Sequence, residues 1–265
     1  MDLLVCLKQV PDLAAGVPDP EVGVAFPDHV EQVISTLDGY ALEAAARIQD
    51  GCSNCSITLL SLDGEEALRS GYSVAGEEVM LVRDPDFEGS DPVAKGMILA
   101  AAAEELERRR GRTFDLILCG QQSADMGSGL TGPSLAEALR RPAVGGVLAA
   151  IPADGGFRLE RETGRGVQTV EAPWGSVALV TRSDHPLRYP TILRNMMAVE
   201  MEVPVLHKKD LSAVDLTAVG RAGARVHTIK RFAPTAKADA VRISASSGEA
   251  AALELLHGLE RARVL

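Results

Sequence analysis

Aromatic side chains are scarce in this sequence. Phe, Tyr and Trp make up 3% of its 265 residues, and tryptophan occurs once. Leu, Val, Ile and Ala therefore have to fill the core, and alanine-rich packing favours closely spaced helices and sheets. Positive charge is also short: 27 Lys and Arg face 37 Asp and Glu, for a formal net charge of −10. That balance argues against a broad basic face for phosphate backbones, so no nucleic-acid partner is expected. No apolar run reaches the length of a membrane span, and no direct membrane insertion is expected. The opening "MDLLVCLKQVPD" turns polar at Lys8, too early for a signal peptide, so the expectation is a cytoplasmic protein.

Metal chemistry finds little support. The five histidines are scattered without metal-ligand spacing. Cys6 and Cys119 fall inside apolar runs, where cysteine behaves as a small buried hydrophobe. Cys52 and Cys55 make "CSNC" at a predicted helix-to-strand turn, but a structural zinc site needs two more ligands. They read as loop cysteines. The Walker A lysine loop, G-x-S-x-G and H-E-x-x-H are all absent, so nothing assembles a nucleophile, a base and an oxyanion hole. The residues argue for binding more than for side-chain chemistry.

What is there is an alternation. Apolar runs at Leu3–Lys8, Ser56–Leu62, "EEVMLVRD" and "FDLILCG" read as buried strands, separated by the helical patterns "GYALEAAARIQD", "GEEALRSGYSVAG" and "DPVAKGMILAAAAEELERRRG". A further helix is expected from about Ser128 or Thr131 to Arg141. Near-continuous apolar strands alternating with helices predict an α/β fold with a doubly wound, mostly parallel sheet. From Val144 the texture becomes short strands between Gly-rich turns, read as a small hairpin section. A Pro-bounded loop with a short helical piece follows. After Lys208 periodicity is weak until the terminal helix "SGEAAALELLHGLERARV". The stretch between reads as an extended arm that needs another surface, or as a loosely packed peripheral segment.

In an open parallel sheet, ligands bind beyond the carboxyl ends of the strands, at the switch point between the two windings. Two segments leave strands suitably, "LKQVPD" and "GQQSADMGSGLTG". The second carries Gly120, Gly127, Gly129 and Gly132, with Ser123, Ser128 and Thr131 among them. Glycines allow close backbone approach, and amides at a helix N-terminus favour a phosphate. Asp125 could accept from a ribose hydroxyl or a loop amide. The competing reading is a glycine-rich connection that only turns the chain.

Taken together, "LLVCLKQVPD", "LDGYALEAAARI", "DLILCGQQSADMGSGLTGP", "RETGRGVQTVEAP" and "PLRYPTILRNMMA" resemble, in order, the successive motifs of the electron transfer flavoprotein beta subunit (ETF beta/FixA) family. The resemblance runs from residue 3 to about 204. It implies an adenine-nucleotide-binding sheet of the HUP-like type, in a heterodimer whose alpha subunit holds an FAD. The beta site of that family takes AMP, or a second FAD in the electron-bifurcating branch. By position, the implied nucleotide residues are Cys6, Ser35, Asp38, Leu62, Gly120, Gln122, Ser123, Asp125, Gly127, Ser128, Gly129 and Thr131. Arg161 would approach the alpha-subunit flavin, or belong to the exposed charge ladder "RLERE".

The implied partner-docking loop spans about residues 182–204 and carries Tyr189, Ile192 and Met196, with Ile192 as the anchor. Ile192 would otherwise tuck into its own domain. Residues 1–204 would form the nucleotide-binding domain, and 205–265 an arm and helix packing on the alpha subunit. Flavin dehydrogenases such as acyl-CoA dehydrogenases would donate electrons, and a membrane or soluble acceptor would receive them.

Three departures stand out. Ser35-Thr36 replaces an asparagine-proline, Gln121 replaces a lysine, and "VEME" replaces a lysine run after the docking loop. Thr131-Gly132 resembles the AMP type, while "GYALE" and Pro133 resemble the bifurcating type. A stand-alone adenine-nucleotide sensor would explain the site but not the hairpins, docking loop or arm. A nucleotide-dependent ligase or pyrophosphatase would need an S-G-G-x-D-S loop where this chain has "KQVPD".

Overall fold

The computed structural model describes residues 1–15, 17–19, 23–25, 30–229 and 241–265. It divides into two units, Met1–Val17 with Ala25–Lys230, and Pro18–Val24 with Arg231–Leu265. The strands are β1 (Asp2–Cys6), β2 (Gln9–Pro11), β3 (Val17–Asp19), β4 (Gly23–Ala25), β5 (Gln32–Ile34), β6 (Ser56–Leu62), β7 (Glu78–Val82), β8 (Leu116–Gly120), β9 (Ala143–Ala153), β10 (Gly156–Thr163), β11 (Gly166–Pro173), β12 (Ser176–Val180) and β13 (Val205–Leu206). The helices are α1 (Thr36–Asp50), α2 (Glu65–Val74), α3 (Pro92–Arg110), α4 (Thr131–Ala138), α5 (Ile192–Glu200), α6 (Gly220–Gly223) and α7 (Gly248–Arg261).

Nine strands form one sheet in the order β11-β10-β9-β12-β8-β1-β6-β7-β13. From β9 to β13 all neighbours are parallel, while β9–β10–β11 is an antiparallel meander. Helices cover the parallel part on both faces. Alternate residues of β1 explain why: Leu3 and Val5 join the core that includes Leu42 and Leu68, while Leu4 and Cys6 join the core that includes Ile98 and Leu135.

The helix ends follow their sequence signals. Asp91 caps α3 by accepting from the Ala94 amide at 2.8 Å, Pro92 occupies its first turn, and Gly111 closes it at φ 69°. Three arginines crowd that helix's last turn, next to its free carbonyls.

The doubly wound α/β expectation holds, with two refinements. The hairpin section extends the edge of the main sheet. The run "SVALV", expected among those hairpins, is β12, an entirely buried strand inserted between β8 and β9 and parallel to both. Pattern alone cannot tell a hairpin return from a parallel insertion after a glycine turn. Beyond residue 204 the chain adds β13 to the sheet edge. The Gly220 amide then donates to Ser90 Oγ at 2.8 Å, and the Arg225 and Val226 amides donate to Asp91 Oδ2 at 2.6 and 3.0 Å. Residues 205–226 are thus fastened to the same body as the sheet. Part of the Pro11–Pro27 loop and residues 230–240 of the arm lie outside the described residues. The terminal helix is α7, as expected, and it has no buried residue.

Candidate nucleotide site and docking surface

The chain steps outward from β1 to β6 and β7, then returns to place β8 on the other side of β1. That reversal opens a crevice at the carboxyl ends of β1 and β8. Asp38, in the first turn of α1, sits in it. Its Oδ2 accepts from the Lys8 amide at 2.9 Å and its Oδ1 from the Gly120 amide at 2.7 Å. One carboxylate thereby ties the loop after β1 to the loop after β8. A β-carbon on Gly120 would stand 2.6 Å from Asp38 Oδ1, so only glycine permits this approach. Burial pushes the Asp38 carboxyl from 3.8 up to about 7, against the pull of both amides and of Lys8. Cys6 and Cys119 lie buried one residue past the paired Val5 and Leu118. Burial pushes the Cys6 thiol up to about 12 and that of Cys119 well above its usual value, so neither is a nucleophile.

The loop Gln121–Leu130 is fixed from three sides. Ser35 Oγ accepts from the Ala124 amide at 3.0 Å, while the Ser35 amide donates to the Lys8 carbonyl at 2.9 Å. Lys8 Nζ reaches both oxygens of Asp125, at 2.6 and 2.7 Å, and Ser123 Oγ at 3.3 Å. Asp125 therefore spends its carboxylate on Lys8. Gln121 Oε1 accepts from the Gly146 amide at 2.8 Å, pinning the loop's start to β9.

Because Ser35 is committed to Ala124, no side chain caps the N-terminus of α1. The start of this helix borders a cavity of about 300 Å³ walled by Thr36, Leu37 and the stretch Gln122–Gly127. An uncapped helix start attracts anions. Lys95 of α3, near Lys8 and Asp125 but outside that wall, has its pKa lowered by burial and by Lys8.

Of the residues named from the sequence, Gln122, Ser123, Asp125 and Gly127 wall this cavity. Ser35, Asp38 and Gly120 brace it. Ser128, Gly129 and Thr131 lie further along, leading into α4, and Cys6 and Leu62 end β1 and β6 outside its wall. Sequence reasoning did not single out Lys8 or Lys95. Lys8 had a usable signal, since it is the first charge after the central strand.

A second cleft, of about 560 Å³, lies where the meander meets the parallel sheet, walled by Gln121, Gly145, Gly146, Arg161, Glu162, Thr163, Gly164 and Thr181. Arg161, on β10 opposite Gln168, keeps its Nε buried with no acceptor among the described residues. Glu162 accepts from Thr181 Oγ1 at 3.1 Å.

The loop expected to dock partners, about 182–204, contains α5, capped by Thr191 Oγ1, which accepts from the Arg194 amide at 3.3 Å. Tyr189, Ile192 and Met196 are 96%, 82% and 63% exposed, joined by Leu193, Met197 and Val199. Ile192 does not tuck into its own domain. What holds α5 is a pair of reciprocal arginine caps. Arg69 of α2 donates to the Ala198 and Met201 carbonyls at 2.8 and 3.0 Å. Arg194 of α5 donates to the Tyr72 carbonyl of α2 at 3.0 Å and to the Gly76 carbonyl just beyond its end at 2.7 Å. Each cation sits on the partial negative charge of the other helix's C-terminus. Arg188 anchors the preceding loop on buried Glu43, at 2.9 Å from both carboxylate oxygens.

Fold and geometry together define an α/β protein with a cleft at the switch point of its sheet and an exposed apolar helix on one flank. A family model described as "Electron transfer flavoprotein domain" matches residues 23–211. The chain is 32% identical over 239 residues to the electron transfer flavoprotein subunit beta of Megasphaera elsdenii, covering 88% of each chain. It is 27% identical over 248 residues to Protein FixA of Azorhizobium caulinodans, covering 90% of this chain and 86% of that one. Subunit CarD of the caffeyl-CoA reductase-Etf complex of Acetobacterium woodii is 25% identical over 268 residues, with full coverage of both. This chain belongs to the electron transfer flavoprotein family, on its beta-subunit/FixA side, and its function is electron transfer. No helix among the described residues is long and apolar enough to cross a membrane.

Proposed function

We propose that this chain is the beta subunit of a heterodimeric electron transfer flavoprotein. It pairs with an alpha subunit that holds most of an FAD, binds AMP structurally at the β1/β8 crevice, and offers α5 to flavin dehydrogenases such as acyl-CoA dehydrogenases. A membrane or soluble acceptor then receives the electrons. The bound flavin supplies the redox chemistry, and this chain supplies position, charge and a docking surface.

One observation carries the AMP reading: the cavity of about 300 Å³ at the uncapped start of α1. That is the small end of the ~300–1,000 Å³ typical of ligand sites, a size suited to a mononucleotide. The residues fit the group. The uncapped start of α1 and the hydroxyl of Ser123 suit a phosphate, and Lys95, near Asp125, supplies a cation beyond the Lys8–Asp125 pair. Arg161, with its unbonded Nε at the second cleft, suits a neighbouring anionic flavin. Residues 1–204 serve as the nucleotide-binding domain and part of the segment 205–265 as a contact for the alpha subunit. The apolar, unburied side chains of α7 support that role.

A second reading places a second FAD in the beta site, making the protein electron-bifurcating. Pro133, directly after Gly132, favours it, as does similarity to a subunit named for a reductase-Etf complex.

The electron-transfer role is tested by co-expressing the chain with an alpha subunit and mixing the purified complex anaerobically with an acyl-CoA dehydrogenase and its acyl-CoA. Bleaching of the complex's flavin absorbance is expected. Failure to co-purify with any alpha subunit, or a flavin that dithionite reduces but the dehydrogenase does not, contradicts the proposal.

A further inference from the structure

The apolar face of α5 is bordered by carboxylates and has few cations to spare. Residues 181–205 contain no lysine and three arginines. Arg194 is folded back onto α2 carbonyls and stacked over the Tyr72 ring. Arg188 is locked on Glu43 and Asp50, and Arg182 leans on Glu162 at 3.8 Å. By contrast Asp184, Glu200 and Glu202 are exposed and have no ion-pair partner among the described residues. Glu65, which holds the Arg69 that caps the helix, is itself paired with Arg69 and Arg83. Glu66 beside it is exposed and unpaired among the described residues. Arg194 is used to hold α5 and Arg188 to hold the loop before it, which leaves exposed Arg182, beside Glu162, as the one nearby guanidinium not committed to this packing among the described residues. An apolar centre with an acidic rim remains.

We propose that α5 docks a partner dehydrogenase whose receiving socket is apolar at its centre and rimmed by lysine or arginine. The inference rests on the electron-carrier reading above and adds the chemical character of the partner. Apolar anchors such as Ile192 and Met196 supply contact energy at the centre, while the rim steers encounter and rejects sockets of like charge. Steering by complementary fields raises association rates by roughly 10–10³-fold at low salt and fades once the Debye length shrinks to a few ångströms. An acidic-rimmed socket would meet Glu200 and Glu202 with repulsion at every approach.

The test uses the complete heterodimer and one acyl-CoA dehydrogenase prepared in two forms, with lysines or with glutamates around the socket that receives α5. Flavin reduction is followed by stopped flow at low and high salt. The wild-type complex is expected to accept electrons at least about tenfold faster from the lysine-rimmed form at low salt, with the difference collapsing at high salt. The Glu200→Lys/Glu202→Lys double variant should reverse that preference, with flavin content and dithionite reduction unchanged. Ile192→Ser should slow both forms alike, separating anchor from rim. Equal rates from the two forms, a preference for the glutamate rim, or a preference untouched by the double variant would overturn the inference while leaving the carrier role standing. No reduction by either form, with dithionite still effective, would sink the donor reading and this inference with it.

Discussion

Replacing Asp38 by asparagine probes the node that joins the two site loops. In the wild type each carboxylate oxygen accepts one backbone amide, Lys8 at 2.9 Å and Gly120 at 2.7 Å. Asparagine keeps one acceptor and turns an NH₂ toward the other amide, which leaves a buried donor unpaired. Such a loss costs about 1–3 kcal/mol. The variant should therefore exchange the Lys8 or Gly120 amide proton faster while distant sheet amides stay protected.

The pH dependence makes the test sharper. The folded carboxyl lies at about 7 and the ordinary value is 3.8, so between these limits the unfolded chain is ionised while the folded chain holds its proton. The stability this group contributes is complete below 3.8 and is lost as pH rises through 7. The slope approaches about 1.4 kcal/mol per pH unit within that window. The asparagine of the Asp38→Asn variant does not titrate. Urea denaturation of wild type and variant at successive pH values should then show the stability difference moving in the variant's favour up to pH 7 and levelling above it. A difference that stays flat, or that moves in favour of the wild type with rising pH, would refute the reasoning. It would mean that the two amides and Lys8 outweigh burial.

Gly120→Ala should drive a methyl into Asp38 and lower stability by about 1–3 kcal/mol, measured by denaturation, with loss of bound nucleotide. Ile192→Ser should leave the melting temperature nearly unchanged, since the side chain is 82% exposed, yet slow flavin reduction by a docked dehydrogenase. Arg188→Ala leaves the carboxylate of buried Glu43 without its cation and should cost up to about 3–5 kcal/mol. Hydrogen exchange across residues 182–191 should rise in that variant. Arg194→Ala should loosen α5 from α2 and slow docking, while leaving the nucleotide content of the complex intact.

The parallel half of the fold was legible because its strands are buried on both faces and read as unbroken apolar runs, and because α3 carries both its cap and its stop in sequence. β12 was misplaced for a physical reason. A glycine turn precedes both a hairpin return and a parallel insertion, and only burial on both faces separates them. At the site, Gly120 and the loop behind it could be found from the strand's end. The partners of Lys8 could not, because Asp125 and Ser123 lie more than a hundred residues away and meet it only through the switch of winding. The reciprocal caps by Arg69 and Arg194 were hidden for the same reason: they answer carbonyls, and carbonyls leave no mark in a sequence. "VEME" was visible, but its meaning depended on learning that Arg188 and Arg194 are bonded back onto their own body.

The central claim is that the β1/β8 crevice holds a mononucleotide beside a single flavin in the assembled protein. Acid extraction of the purified heterodimer, with FAD and AMP quantified per complex by chromatography and flavin absorbance, tests it directly. One FAD and one AMP, with AMP lost in Gly120→Ala, is the predicted result. Two FADs and no AMP would contradict it and make the same crevice a redox site.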